Sequence, residues 1–410
     1  MDKKTKLKKG PIIILVVVLL LFIALTIVLL KSCSKKEEVE VIEKQTSFID
    51  TFMNNTNEGI DEKTKKKIVD FFDIYYLSMK ELNEYDMQYL FDDEIAGYIN
   101  QSAIKFLVNY RKLQRTDLKL DKVKYSLKVS KITKTEDEMK ILVLEDSVFN
   151  FNFMKDIDSK TYNVENTFTF KRVDDEYKLI KYDKNADFYN VIKNAIPENP
   201  TKDNINSATK DAIVLASSMI DNEKNYYENS SNMPTKRCDH AYDREKATAY
   251  ALSWITTRNP EYANFDNWGG NCQNYASQVI KSGGIPNDVV GYYRFKYYSS
   301  VPDETEASTG RTPSWAGVDQ FYNYAKYNQN AGGLCSTVDI NYYYAEKGDL
   351  IQFGYKNTWA HTSVITGSIV EDGKMIDLLT SSNTTDRENF PLSAYNYPNK
   401  RLIKVYGWND

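Results

Sequence analysis

The sequence predicts an α+β protein with one N-terminal transmembrane helix and two α+β domains behind it. Three observations carry that prediction. Residues 11–30 (PIIILVVVLLLFIALTIVLL) form an uncharged apolar run. The next 150 residues pass from helical spacing to strict alternation. Composition then changes near residue 200: no Pro lies between Pro11 and Pro197, only three of the 17 Gly precede residue 200, and all five Trp follow it.

At about 1.5 Å per residue the 11–30 run is long enough to span a hydrocarbon core of roughly 30 Å. Residues 1–10 form a basic tail (Lys3, Lys4, Lys6, Lys8, Lys9) expected to stay cytoplasmic. No A-x-A-like cleavage site follows, and Lys31 spoils a lipid-attachment box at Cys33, so the run reads as an uncleaved anchor. The expected placement is the cell membrane, single-pass, N-terminus cytoplasmic, C-terminal domains extracellular. Residues 31–45 read as a solvated stalk.

Residues 46–192 read as an α+β spacer or interaction domain. Ile68, Phe71, Phe72, Tyr75, Met79 and Leu82 share one helical face, and Ile104, Leu107 and Val108 mark a second helix. Alternation follows at Val123–Val129, Met139–Val143, Val164–Phe170 and Tyr177–Leu179, with Glu136-Asp137-Glu138 and Asp174-Asp175-Glu176 as turns. In topology this looks like a cystatin-like roll. It has no His, no Cys and no convergent motif, so protein partners, rather than chemistry, are what it would supply. Residues 193–206, around Pro197 and Pro200, read as the linker.

Charge excludes one class of partner. Residues 1–36 carry eight Lys and one Asp, net +7, so with −4 overall the remainder carries −4 − 7 = −11. An acidic body does not suit nucleic acid. Two His and four Cys leave no zinc pattern, and CxxC, GxGxxG, GxxxxGK[ST] and GxSxG are missing, so no metal or other cofactor is expected.

Residues 207–410 hold the chemistry. Helices are expected at 208–228 and about 243–257, the latter ended by Asn259-Pro260. In Trp268-Gly269-Gly270-Asn271-Cys272-Gln273-Asn274-Tyr275 the glycines allow a tight turn and Cys272 opens a helix whose left-handed cap is expected at Gly283. A helix N-terminus favours thiolate and offers unpaired N–H groups to an oxyanion. His361, one of only two His, leads a downstream strand, which is the order of a Cys–His nucleophile pair. For the orienting residue, Glu371-Asp372-Gly373 is read as a three-residue turn. Pairing 370 with 374 places Asn383 opposite His361, and the competitor Asp377 opposite Gly367. Asn383 is preferred. A disulfide is expected between Cys238 and Cys335, the two domain cysteines without a chemical role. The tyrosine runs Tyr292-Tyr293 and Tyr342-Tyr343-Tyr344 could line a binding groove or fill half-buried sheet positions.

NCQNYASQVIKSGGIP, with YDREKATAYALSWITTRNPEYANFDN before it and TPSWAGVDQFYNY, GDLIQF, AHTSVIT and NTTDR…PL after it, resembles the bacterial putative amidase domain family over residues 240–409. That family is similar to papain-like hydrolases, including NlpC-type and CHAP cell-wall enzymes. The resemblance implies a papain-like α+β fold, Cys272 as nucleophile, His361 as base and peptidoglycan or another peptide amide as substrate. Two departures stand out: the family usually has Asp-Cys-Thr-Asn-Phe where this chain has Asn271-Cys272-Gln273-Asn274-Tyr275, and tends to have His where Asn383 stands. The alternatives are a binding or assembly protein that reuses the fold, and a peptidase or transamidase acting on proteins.

Overall fold

A computed structural model describes residues 47–229, 233–299, 310–328, 332–355 and 358–410. Asp61 accepts from the Thr64 N–H and starts helix α1 (Glu62–Glu81); Asp93 does the same through Ala96 for α2 (Glu94–Leu113). These helices bury Ile68, Phe71, Phe72 and Met79, and Ile104, Leu107 and Val108, the apolar faces expected from their spacing. They accompany a meander of β2 (Leu120–Lys134), β3 (Glu138–Phe151), β4 (Ser159–Val173) and β5 (Glu176–Lys184), with β1 (Ile49–Asn54) parallel to β2. Helices α3 (Asp187–Lys193) and α4 (Lys202–Glu228) follow, the second opened by a capping box between Thr201 and Asn204.

The second half contributes β6 (His240–Ala241), α5 (Arg244–Ser253), α6 (Cys272–Ser282), α7 (Pro313–Ala316) and α8 (Val318–Tyr327). Strands β7 (Gly333–Val338), β8 (Leu350–Tyr355), β9 (Thr358–Glu371), β10 (Lys374–Ser382), β11 (Asp386–Pro391) and β12 (Asn399–Asn409) complete it. Its core packs Tyr275, Ala276, Val279 and Ile280 of α6 against Phe295, Trp315, Phe321 and Tyr324, and against Leu350, Val364 and Ile403 of the sheet.

The expected fold class needs two corrections. First, the two halves share one sheet. Asp386, Arg387 and Glu388 of β11 pair with Tyr162, Thr161 and Lys160 of β4, giving twelve strands in the order β1-β2-β3-β4-β11-β10-β9-β8-β12-β6, with β5 on β4 and β7 on β12. Pairing these strands covers edges that would otherwise present open N–H and C=O groups. The molecule is therefore mixed α+β around one sheet, rather than a roll beside a separate papain-like domain. Second, among the described residues no helix is long and apolar enough to cross a membrane. The longest, α4, carries Lys202, Asp203, Lys210, Asp211, Asp221, Glu223 and Lys224. The apolar run at 11–30, its basic tail and the stalk at 31–45 lie outside the described residues. The single-pass anchor, and the membrane placement built on it, are not supported and are not carried forward.

The expected disulfide is present: Cys238 and Cys335 are bonded across a 97-residue separation, with Cα atoms 6.1 Å apart. Gly283, expected as a left-handed cap, has φ −77°, and Gly284 takes the positive φ of 104° instead. Gly283 is required for another reason, since a Cβ there would lie 2.1 Å from the Tyr242 ring.

Candidate active site

Cys272 is the first residue of α6, reached through Gly269 and Gly270 with φ of 97° and 114°, values that glycine adopts without strain. Asn271 precedes it and is fixed on every side. Its backbone N–H donates to Thr384 Oγ1 (2.6 Å), its Nδ2 to Asn383 Oδ1 (2.7 Å), and its Oδ1 accepts from the Phe265 N–H (3.2 Å) and Asn274 Nδ2 (2.8 Å). One step into the helix, Gln273 Oε1 accepts from Thr362 Oγ1 (2.8 Å) and Gln352 Nε2 (3.2 Å), tying α6 to β9 and β8. Trp315 Nε1 donates to Asn274 Oδ1 at 2.7 Å. Trp315 is thus core and support, wedged between Tyr262 and Phe295.

The helix terminus does not produce a thiolate here. Cys272 is 6% exposed, and burial pushes its thiol above the ordinary value. The backbone N–H groups of Thr362, Gln273 and Cys272 lower it again, but only in part.

His361 immediately precedes Thr362 on β9, the residue whose backbone N–H lowers the Cys272 thiol's pKa. Alternation separates their supports. Thr362 and Val364 turn toward α6, while His361 and Ser363 turn toward Phe353 and Tyr395. Nε2 of His361 lies 3.2 Å from Ser363 Oγ, which reaches Tyr395 OH (3.4 Å), and that hydroxyl reaches Thr380 Oγ1 (2.9 Å). Phe353 stacks on Tyr395 at 4.3 Å and faces the imidazole at 6.0 Å. Burial, with the positive charge of Arg387 adding to it, holds His361 down to about 3, so the imidazole is neutral at physiological pH. Among the described residues no hydrogen bond joins Sγ to the ring.

Asn383 is not placed beside His361. Its Oδ1 holds Asn271, and its Nδ2 donates to the carbonyls of Trp254 (2.9 Å), Ile255 (3.3 Å) and Thr257 (3.3 Å). The cause is the hairpin. Asp372 and Gly373, both at positive φ (51° and 73°), form a two-residue turn, and Glu371 pairs with Lys374. The register beyond the bulges, Thr380 with Ile365 and Ser381 with Val364, is one residue off the expected one. A one-residue slip turns every side chain to the other face. Asp377, opposite Ile369, accepts from Ser393 Oγ (2.5 Å) and N–H (3.2 Å), and burial raises its carboxyl to about 6.

Ser363, Tyr395 and Arg387 are neighbours of His361 that the sequence motifs do not single out. Ser363 was available from alternation, two residues along the same strand. Tyr395 and Arg387 arrive through β11 and its following loop, which no local pattern announces. A groove of about 560 Å³ runs from α4 to the start of β9, lined among others by Tyr226, Tyr322, Tyr342, Trp359, Tyr397 and Arg401. Tyr397 also stacks toward His361, with ring centroids 6.4 Å apart. Arg401 is held between the Tyr322 and Trp359 rings (3.6 and 3.9 Å). Among the described residues no group of three His, Cys, Asp or Glu is arranged to hold a metal ion.

No curated protein and no solved structure matches the chain. Residues 241–406, the stretch that carries Cys272, His361 and Asn383, match the model of a family described as a putative amidase domain, a match that points to amide hydrolysis.

Proposed function

We propose that this domain cleaves amide bonds by cysteine catalysis of the papain-like type, with Cys272 as nucleophile, His361 as general base and cell-wall peptidoglycan as substrate. The observation that carries the mechanism is a buried free thiol at a helix N-terminus, its pKa pulled down in part by the backbone N–H of Thr362, the residue that follows His361 on β9. The neutral imidazole takes the thiol proton as sulfur attacks the amide carbonyl carbon, and helix N–H groups receive the oxyanion. Collapse expels the amine with the proton from His361. Water, deprotonated by the same ring, then hydrolyses the thioester to acid and free Cys272. The imidazole must turn toward Sγ for the first step; catalytic hydrogen bonds are often long before substrate binds. Ser363 is the positioning residue this geometry favours, in place of Asn383.

Support for a wall substrate comes from the aromatic groove that ends at Tyr397, suited to sugar and peptide faces, and from the Cys238–Cys335 disulfide, which favours an oxidising compartment. A second reading, a catalytically weak wall-binding or assembly protein, is favoured by one observation: no hydrogen bond joins Sγ to His361. Mass spectrometry of purified peptidoglycan after incubation with the protein tests both. New amine and carboxyl ends, at one class of amide, support hydrolysis. Intact peptidoglycan that co-sediments with the protein supports the binding reading.

A further inference from the structure

Behind His361, where β11 meets β4, lies a cavity of about 60 Å³. By volume it holds roughly four to six waters or one small ion with fewer. Its charged lining is Arg111, Lys184, Arg387, Glu145 and Asp187, with the amide of Asn396 beside them. Three positive and two negative groups leave +3 − 2 = +1.

The carboxylates are already committed. Glu145 accepts from Lys184 Nζ (3.0 Å), Asn166 Nδ2 (3.2 Å) and Tyr76 OH. Asp187 accepts from the Asn396 N–H (2.9 Å) and stands 3.8 Å from Arg387 Nη2. Arg111 is different. It is 6% exposed, meets no carboxylate at ion-pair distance among the described residues, and is held only by the Leu118 carbonyl (3.4 Å) and the Phe151 ring (5.4 Å). A buried charge without a counter-ion is costly. Moreover, Arg111 Nε, Arg387 Nε and Asn396 Nδ2, the last in a residue 2% exposed, are buried without a hydrogen-bond partner, and all three are donors. Water would bring hydrogens of its own to place, whereas an anion takes donors only.

We propose that this cavity is a binding site for a small monovalent anion of chloride size, held by Arg111, Arg387 and Asn396, which supplies the missing charge where the two halves of the sheet join. The proposal stands apart from the assignment of Cys272 and needs no activity for its test.

The test uses the purified full-length chain with sodium chloride and sodium gluconate exchanged at constant ionic strength. Chloride should raise the melting temperature saturably, by about 2–4 °C, and gluconate should not. Asn396→Asp puts a fixed negative charge in the cavity, so its melting temperature should no longer respond to chloride. Arg111→Met should also lose the response; where it fails to fold, Asn396→Asp decides. Crystals soaked in sodium bromide should show an anomalous peak between Arg111 and Arg387. Equal melting temperatures in the two salts, or water density without a bromide peak, would overturn the proposal.

Discussion

Around Cys272 the supports are side-chain amides with their hydrogen bonds made: Asn271, Gln273, Asn274, Gln352 and Asn383. Around His361 they are rings and hydroxyls, and among the described residues the imidazole has one hydrogen-bond contact, 3.2 Å to Ser363 Oγ. The contrast teaches where motion can occur. Directional bonds specify the place of Cys272, because any shift would orphan a buried amide. Packing holds the imidazole with less directional constraint, and the proposed mechanism needs that ring to turn toward sulfur.

The sharpest way to break the comparison is to remove its two subjects. Cys272→Ala should abolish amide turnover, and His361→Ala should lower kcat by about 10²–10⁴-fold, the usual contribution of a general base. The double variant should be little worse than Cys272→Ala, because the two act as one unit. Steady-state kinetics on the identified substrate checks this, and additive losses would show that they do not work together.

Acid stability comes next. His361 is held at about 3 in the folded state against 6.5 unfolded, so the unfolded chain binds the extra proton between those values. Its contribution to stability is complete above about 6.5 and is lost as pH falls toward 3, at up to about 1.4 kcal/mol per pH unit. Asp377 has the opposite sign. Its folded value of about 6 against 3.8 means that its contribution is present below 3.8 and is lost as pH rises through 6. Denaturant unfolding at pH 4, 5, 6 and 7 should therefore show a shallower acid loss in His361→Gln than in wild type, and a steeper one in Asp377→Asn.

Asn383→Ala sharpens the amide side. It orphans the Nδ2 of Asn271 and takes a donor from the carbonyls of Trp254, Ile255 and Thr257, of which Ile255 keeps Arg258 Nη1 (3.4 Å), so a loss of about 1–3 kcal/mol in unfolding free energy is expected. Its pH–rate profile should keep the wild-type shape, because the residue supports the nucleophile's turn and not the ring. A displaced profile would return Asn383 to the role of orienting His361.

Much of this was legible in the sequence, and the failures have physical causes. The faces of α1 and α2, the four-strand meander, the helix opened by Cys272 and the strand that carries His361, though it starts earlier at Thr358, all follow from local periodicity and turn chemistry. The β4–β11 pairing does not, since it joins residues more than 220 apart and neither strand carries a mark of its partner. The third site residue failed on one turn residue. Asp372 at φ 51° makes the loop two residues long, and the register moved by one. The thiolate expectation failed because a helix terminus supplies only a fraction of a charge, while burial of the whole thiol outweighs it.

The smallest effect belongs to Ser363. Ser363→Ala removes the only hydrogen-bond contact to the imidazole among the described residues and should lower kcat several-fold with KM unchanged, and Ser363→Thr should restore most of it. Unchanged kcat in Ser363→Ala would mean that packing alone orients the ring.

The most direct measurement is rapid acid quench of the protein with a reactive acyl substrate, followed by intact mass and peptide mapping. The account predicts one acyl group on the peptide containing Cys272 in wild type, and none in Cys272→Ala, which should also be inactive. Full turnover by Cys272→Ala, with no adduct on Cys272 in wild type, would contradict it.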